Sequence, residues 1–167
     1  MKIYLFHGSK NKTGKTSRFV KLFTKKANKL GHTFVKEVPK ADALFIITPT
    51  HWFGAPIKLK TFIDTTLHKL ENDGFKCEGK LFGALVYAPE GGASLLLSQL
   101  AITANLMGFI IPPYSLTYYR GTKRDEWGLD FDFLNFIGEY PNESLRGKVH
   151  AIEVLGNKYE GLSEFRK

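Results

Sequence analysis

The run Ile3-Tyr4-Leu5-Phe6 is apolar without a break, and the ten residues after it, His7 to Thr16, hold two glycines and an otherwise polar set of side chains. An unbroken apolar run suits a strand buried on both faces, as in a parallel sheet. Beyond the loop, Phe19, Leu22, Phe23, Ala27 and Leu30 recur at helical spacing, and Gly31 supplies a C-terminal stop. Strand, polar loop and helix in that order commit the start of the chain to an α/β architecture.

The alternation continues. Thr33-Phe34-Val35 reads as a second strand, and Ala43 to Ile47, past Pro39, as a third. The link from Glu37 to Asp42 has no room for a crossover helix, so either it is an extended loop or the second strand is irregular. Leu59, Phe62, Ile63, Leu67 and Leu70 mark a second amphipathic helix, with Pro56 suited to its first turn. Leu81 to Tyr87 is a strand, and Leu97, Leu100, Ala101, Ala104 and Met107 form a third helix that Gly108 ends. Phe109-Ile110-Ile111 reads as the last strand. Residues 112–141 lose clear period, and Tyr114, Tyr118, Tyr119 and Trp127 fall in that irregular stretch, as cover for a ligand, a dimer contact or ordinary loop packing. Leu145, Val149, Ile152, Leu155 and Tyr159 suggest a terminal helix. The expectation is one three-layer α/β domain over residues 1–167, with helices on both sheet faces and ligands at the C-terminal ends of the strands.

Composition narrows the function. Hydrophobic residues make up 43% of the chain, as in a globular protein, yet every apolar run is too short to span a bilayer, so no membrane insertion is expected. The first residues lack the features of an export signal, and a cytoplasmic location is the default expectation. One cysteine, Cys77, leaves no cluster for zinc or iron–sulfur, so no metal site is expected. The net charge of +8 is spread over Lys10 to Lys29, Lys58 to Lys69 and the tail rather than gathered on one reading helix, which argues against nucleic acid and suits a phosphorylated small molecule.

The first loop fits that ligand. Backbone N–H groups and hydroxyls ahead of a helix N-terminus attract an anion, and this loop offers Ser9, Thr13, Thr16 and Ser17 with Lys12 and Lys15, more than a simple cap needs. It is not a nucleotide-triphosphate P-loop: Gly14-Lys15-Thr16 matches that motif's end, but the required earlier glycine position holds Ser9. Nor are Gly8 and Gly14 arranged as a dinucleotide fingerprint.

Gly8-Ser9, four residues, then Gly14-Lys15-Thr16 resembles the G-S-P-R-x-x-G-N-T loop of the NAD(P)H-dependent FMN reductases, with Lys10, Asn11 and Lys15 at the proline, arginine and asparagine positions. Pro49-Thr50-His51-Trp52, followed by Leu59-Lys60-Thr61-Phe62-Ile63-Asp64, resembles that family's P-x-Y-W and L-K-x-F-I-D run, with His51 for tyrosine and Thr65 for arginine. Glu90-Gly91-Gly92 resembles its third flavin loop. The resemblance spans about Lys2 to Met107 and belongs to the branch without a cysteine cluster.

It implies a flavodoxin-like fold, a five-stranded parallel sheet of order 2-1-3-4-5, and bound FMN. The phosphate falls to Ser9, Lys12, Thr13, Gly14, Lys15, Thr16 and Ser17, and the ring edge or face to Pro49, Thr50, His51, Trp52 and Phe53, with Glu90, Gly91 and Gly92 closing the other side. Because the ring carries the redox chemistry, no catalytic side chain is assigned. The implied activity moves a hydride from NAD(P)H to FMN and electrons onward to a small acceptor such as a quinone or another flavin, in a homodimer. The alternative is a flavodoxin-type electron carrier with no substrate of its own. Lys60 and Asp64, four residues apart on one helix, are read as a surface ion pair.

Overall fold

The computed structural model describes residues 1–74, 76–113 and 115–121. The elements run β1 (Lys2–His7), α1 (Lys15–Lys29), β2 (Thr33–Phe34), β3 (Ala43–Pro49), α2 (Ile57–Thr61), a π-helical stretch (Phe62–Leu67), α3 (His68–Asn72), β4 (Leu81–Tyr87), α4 (Ala93–Leu106) and β5 (Leu116–Tyr119). All pairings between the strands are parallel, in the order β2-β1-β3-β4-β5. This is the expected flavodoxin-like sheet. The terminal helix expected at Leu145 to Tyr159, and the residues Tyr114 and Trp127, lie outside the described residues.

The apolar runs form the central strands, and every residue of β3 is buried. One sheet face packs on α1 through Phe19, Phe23 and Ala27, with Phe23 stacked on Phe45 at a centroid distance of 4.3 Å. The other face packs on the helices from α2 to α4 through Phe62, Leu67, Leu96 and Leu100, with Phe62 stacked on Phe6 at 4.2 Å. Leu22 and Leu30, expected in the apolar stripe of α1, are instead exposed: the buried stripe keeps the four-residue step of Phe19, Phe23 and Ala27, and those two leucines fall beside it.

The short link to β3 resolves with both alternatives holding. β2 is only two residues long, and the link contains one 3₁₀ turn, Val38–Lys40. Phe34 and Ala43 both pair with Ile3, so the chain has only to step over β1, about 10 Å for two strand spacings, and needs no returning helix. Val38 anchors the link by its buried side chain, and the Lys80 ammonium donates to the carbonyls of Pro39 and Ala41.

α2, the π stretch and α3 follow one another as a single helical rod. Pro56 caps it rather than lying in its first turn. Phe62 and Leu67 are both buried although five residues apart, a step that the wider π turn accommodates on one face. Lys60 and Asp64 form the expected exposed ion pair.

The last strand lies elsewhere than expected. Ile110 makes only an isolated bridge to Leu81, and β5 proper is Leu116–Tyr119 against Ala84–Tyr87. Pro112 and Pro113 cannot donate to a ladder, so the chain leaves the sheet after Ile110 and returns through a turn in which Ser115 donates to the Pro112 carbonyl. Tyr118 and Tyr119 are therefore strand residues, not part of an irregular loop, and Tyr119 is buried.

Replacing Phe45 by alanine removes the ring stacked on Phe23 from a fully buried strand. The loss of stability is expected to be about 3–5 kcal/mol, read as a lowered urea midpoint with an unchanged slope.

Candidate functional site

Three loops meet where β1, β3 and β4 end. The first is held close by Gly8, whose N–H donates to the Ile47 carbonyl at 2.8 Å. A Cβ at Gly8 would stand 2.3 Å from the Thr48 hydroxyl and 2.6 Å from its Cβ, so only glycine lets the chain turn there.

Past Gly8 the loop is organised by Asn11. Its side-chain oxygen accepts from the Thr13 N–H at 2.8 Å and the Thr13 hydroxyl at 2.9 Å, and its own N–H donates to the Ser9 hydroxyl at 3.1 Å. The Ser17 hydroxyl donates to the Asn11 carbonyl at 2.6 Å and lies 3.3 Å from His7 Nε2. Serine has one hydroxyl hydrogen, already given to Asn11, so His7 Nε2 is the donor in that second bond. Burial and the nearby Lys58 charge hold the His7 pKa below its ordinary value.

Gly14 caps α1 in an extended conformation, and no side chain among the described residues caps that helix, which leaves its first-turn N–H groups for an outside acceptor. Lys12, Thr13 and Lys15 are exposed there and Ser9 is half-buried, whereas Thr16 and Ser17 are buried in the first turn. The uncapped N-terminus, the exposed cations and the closely approaching glycines fit a phosphorylated, flat ligand such as FMN.

The second loop is a tight hairpin. His51 and Gly54 exchange backbone hydrogen bonds of 3.0 Å, and both residues between them have positive φ, 48° at Trp52 and 63° at Phe53. That is the pattern of a type I′ turn, normally filled by Asn and Gly. Two bulky residues there carry strain on the order of 1–3 kcal/mol each, and the turn holds Trp52 outward at 92% exposure. The exposed imidazole of His51 stands at the hairpin base.

The third loop nests against the second. The Thr50 N–H donates to the Tyr87 carbonyl at 2.9 Å and its hydroxyl to the Gly91 carbonyl at 3.2 Å. Gly92 has φ +79°, and a Cβ there would lie 2.5 Å from the Phe53 backbone; at Gly91 it would meet the Phe53 ring at 3.0 Å. Pro49, Thr50, His51, Trp52, Tyr87 and Glu90 line a cleft of about 400 Å³ between the two loops. The structure thus brings the sequence-derived residues into one region, and adds Tyr87, Asn11 and His7. Tyr87 was legible as the last residue of a strand, where α/β ligands gather; the roles of Asn11 and His7 depend on contacts that spacing does not encode.

A flavodoxin-like α/β fold with an uncapped helix N-terminus after its first loop and an aromatic cleft between its second and third loops is the framework of a class of flavin-binding protein. The family model for NADPH-dependent FMN reductase matches residues 30–121, and the chain belongs to that family of FMN-dependent oxidoreductases. The match takes in the second and third loops and begins beyond the first. Among solved structures, the flavoenzyme NAD(P)H:(acceptor) oxidoreductase FerB from Paracoccus denitrificans shares 14% identity over 83% of this chain and 93% of its own, with a TM-score of 0.63. A flavodoxin from the domain Archaea shares 18% over 83% and 94%, TM-score 0.61. An NADPH-quinone reductase from P. pentosaceus shares 17% over 82% and 94%, TM-score 0.54. These likenesses speak to the fold. No curated protein matches the sequence significantly.

Two outcomes follow. Gly92→Ala, forced into the Phe53 backbone at positive φ, should cost on the order of 2–4 kcal/mol in urea melts. For His7 the folded pKa lies below the unfolded one, so the unfolded chain binds more protons and stability falls as pH drops from about 6.5 through the folded value. His7→Gln, which retains a donor to Ser17, should show a shallower loss between neutral pH and mild acid when melts of both proteins are compared.

Proposed function

We propose that this chain is an NAD(P)H oxidoreductase that holds FMN across the three loops and passes electrons to a small acceptor such as a quinone or a second flavin. The observation that carries the reading is the uncapped α1 N-terminus that follows β1, together with an aromatic cleft between the loops that follow β3 and β4, in a chain of this family. The phosphate group falls to the first-turn amides of α1 with Ser9, Lys12, Thr13, Gly14 and Lys15. Thr16 and Ser17, being buried, serve through their backbone, while the Ser17 hydroxyl keeps the loop in shape. The ring falls to the cleft of Pro49, Thr50, His51 and Trp52, with Phe53 packed beneath Gly91 and Gly92, and Glu90 at the far rim.

The flavin, when bound, supplies the hydride and electron chemistry, and the side chains position it and limit access. His51 is exposed at the ring edge of that cleft, within the surface that a second substrate must cross. A homodimer in the cytoplasm is part of this reading, carried by the family resemblance.

The test is the absorbance of purified protein after FMN is added and free flavin removed, followed by anaerobic NADPH and NADH. A retained band that bleaches with a nicotinamide is the expected result; a retained band that does not bleach makes the protein an electron carrier instead. Gly14→Asp should weaken FMN binding roughly 100-fold or more, because it sets a carboxylate against the phosphate. The nearest atoms to a Cβ at that position belong to the Asn11 side chain, its amide nitrogen at 3.2 Å, so Gly14→Ala should cost much less.

A further inference from the structure

The Trp52–Phe53 hairpin has a cleft on each side. The flavin reading seats the ring in the smaller. The larger, about 620 Å³, lies between the first half of the first loop and the start of α2, with Ser9 and Lys10 on one wall, Ile57 and Lys58 on the other, and Trp52 at its mouth. Among the described residues, no carboxylate lines it.

Its chemistry has two parts. The cationic part is Lys10 and Lys58, neither of which has a carboxylate partner among the described residues. The Lys58 ammonium lies 3.4 Å from the Ser9 carbonyl and 5.8 Å from the centre of the Phe6 ring, two weak contacts that leave donors for an anion. The apolar part is the indole of Trp52 and the side chain of Ile57, 92% and 75% exposed, held at the same opening. A flat heteroaromatic ring covers such a surface favourably, and an indole kept outward by a strained turn is already placed for stacking.

We propose that this cleft takes the adenosine end of the nicotinamide dinucleotide, its adenine against Trp52 and Ile57 and a phosphate group on Lys58 and Lys10. The inference rests on the reductase reading, which supplies the dinucleotide. His51 and Trp52 line both clefts, so a ligand seated in the larger reaches the flavin cleft by passing one two-residue turn. Of the residues assigned to the flavin phosphate, Ser9 lines the cleft, whereas Lys12, Thr13, Gly14 and Lys15 are not in its walls.

The experiment is calorimetric titration with adenosine 2′,5′-bisphosphate and, separately, ADP, with and without saturating FMN, on the wild type, Lys58→Gln and Trp52→Asn. Wild-type binding that persists with FMN present, and that weakens roughly tenfold in Lys58→Gln while FMN affinity holds, is the expected result. If the bisphosphate alone is affected, the 2′-phosphate sits on Lys58; if ADP is affected equally, the pyrophosphate does. Trp52→Asn should weaken both probes without lowering the urea midpoint, since asparagine tolerates positive φ. In steady-state assays Lys58→Gln should raise the KM of the dinucleotide with kcat retained. Loss of FMN affinity in Lys58→Gln, with the adenosine probes unchanged, would give the cleft to the flavin phosphate and overturn the proposal. Absence of probe binding in a wild type whose flavin NADPH bleaches would also overturn it, whereas absence of bleaching strikes the reductase reading.

Discussion

The site depends on one close approach: the backbone of Gly8 passing over the end of β3 against Thr48. Parallel pairing of β1 and β3 brings their ends level, but a side chain at Gly8 would drive them apart. With hydrogen there, the first loop closes down onto Ile47, Asn11 bonds with Ser9 and Thr13, and α1 begins at the same end of the sheet as the second and third loops. A hard steric condition at one residue thus converts sheet register into loop geometry.

The strands β1, β3 and β4 were legible because buried parallel strands leave unbroken apolar runs, and the helices were legible where their buried stripes keep a regular step. The sequence read less well wherever tertiary structure altered the step. Leu22 and Leu30 fit the helical period as well as Phe23 does, and only the position of α1 on the sheet separates them. The five-residue gap from Phe62 to Leu67 is a visible trace of the π stretch, although a period search set to α-helix absorbs it without notice. The last strand was misplaced because Phe109 to Ile111 has the composition of a strand, while two prolines directly after it forbid the continuation.

The site itself was legible as loops rather than as contacts. Glycines, hydroxyls and lysines after a strand raise the expectation of an anion loop, and the family run through the second loop singles out Trp52. What spacing did not reveal is division of labour: the Ser17 hydroxyl is spent on holding Asn11 and meeting His7, and Phe53 packs against the third loop while Trp52 projects from the turn. Paired glycines at 91 and 92 are the counterpart of that packing, since backbone can lie on backbone only where no side chain intervenes.

The broken course of β5 has a consequence for behaviour in solution. An edge strand offers its unpaired backbone to any extended chain that drifts past, and long, flat edges are where sheets from separate molecules join. Here β2 pairs over two residues, and the run beside β4 is interrupted by Pro112 and Pro113 before its four paired residues begin. The long strands, with six or seven residues each, are all interior. A stray strand finds almost no straight template along the described rims, so the irregularity that hid β5 from a pattern reading also guards a strongly apolar sheet against growing by accretion.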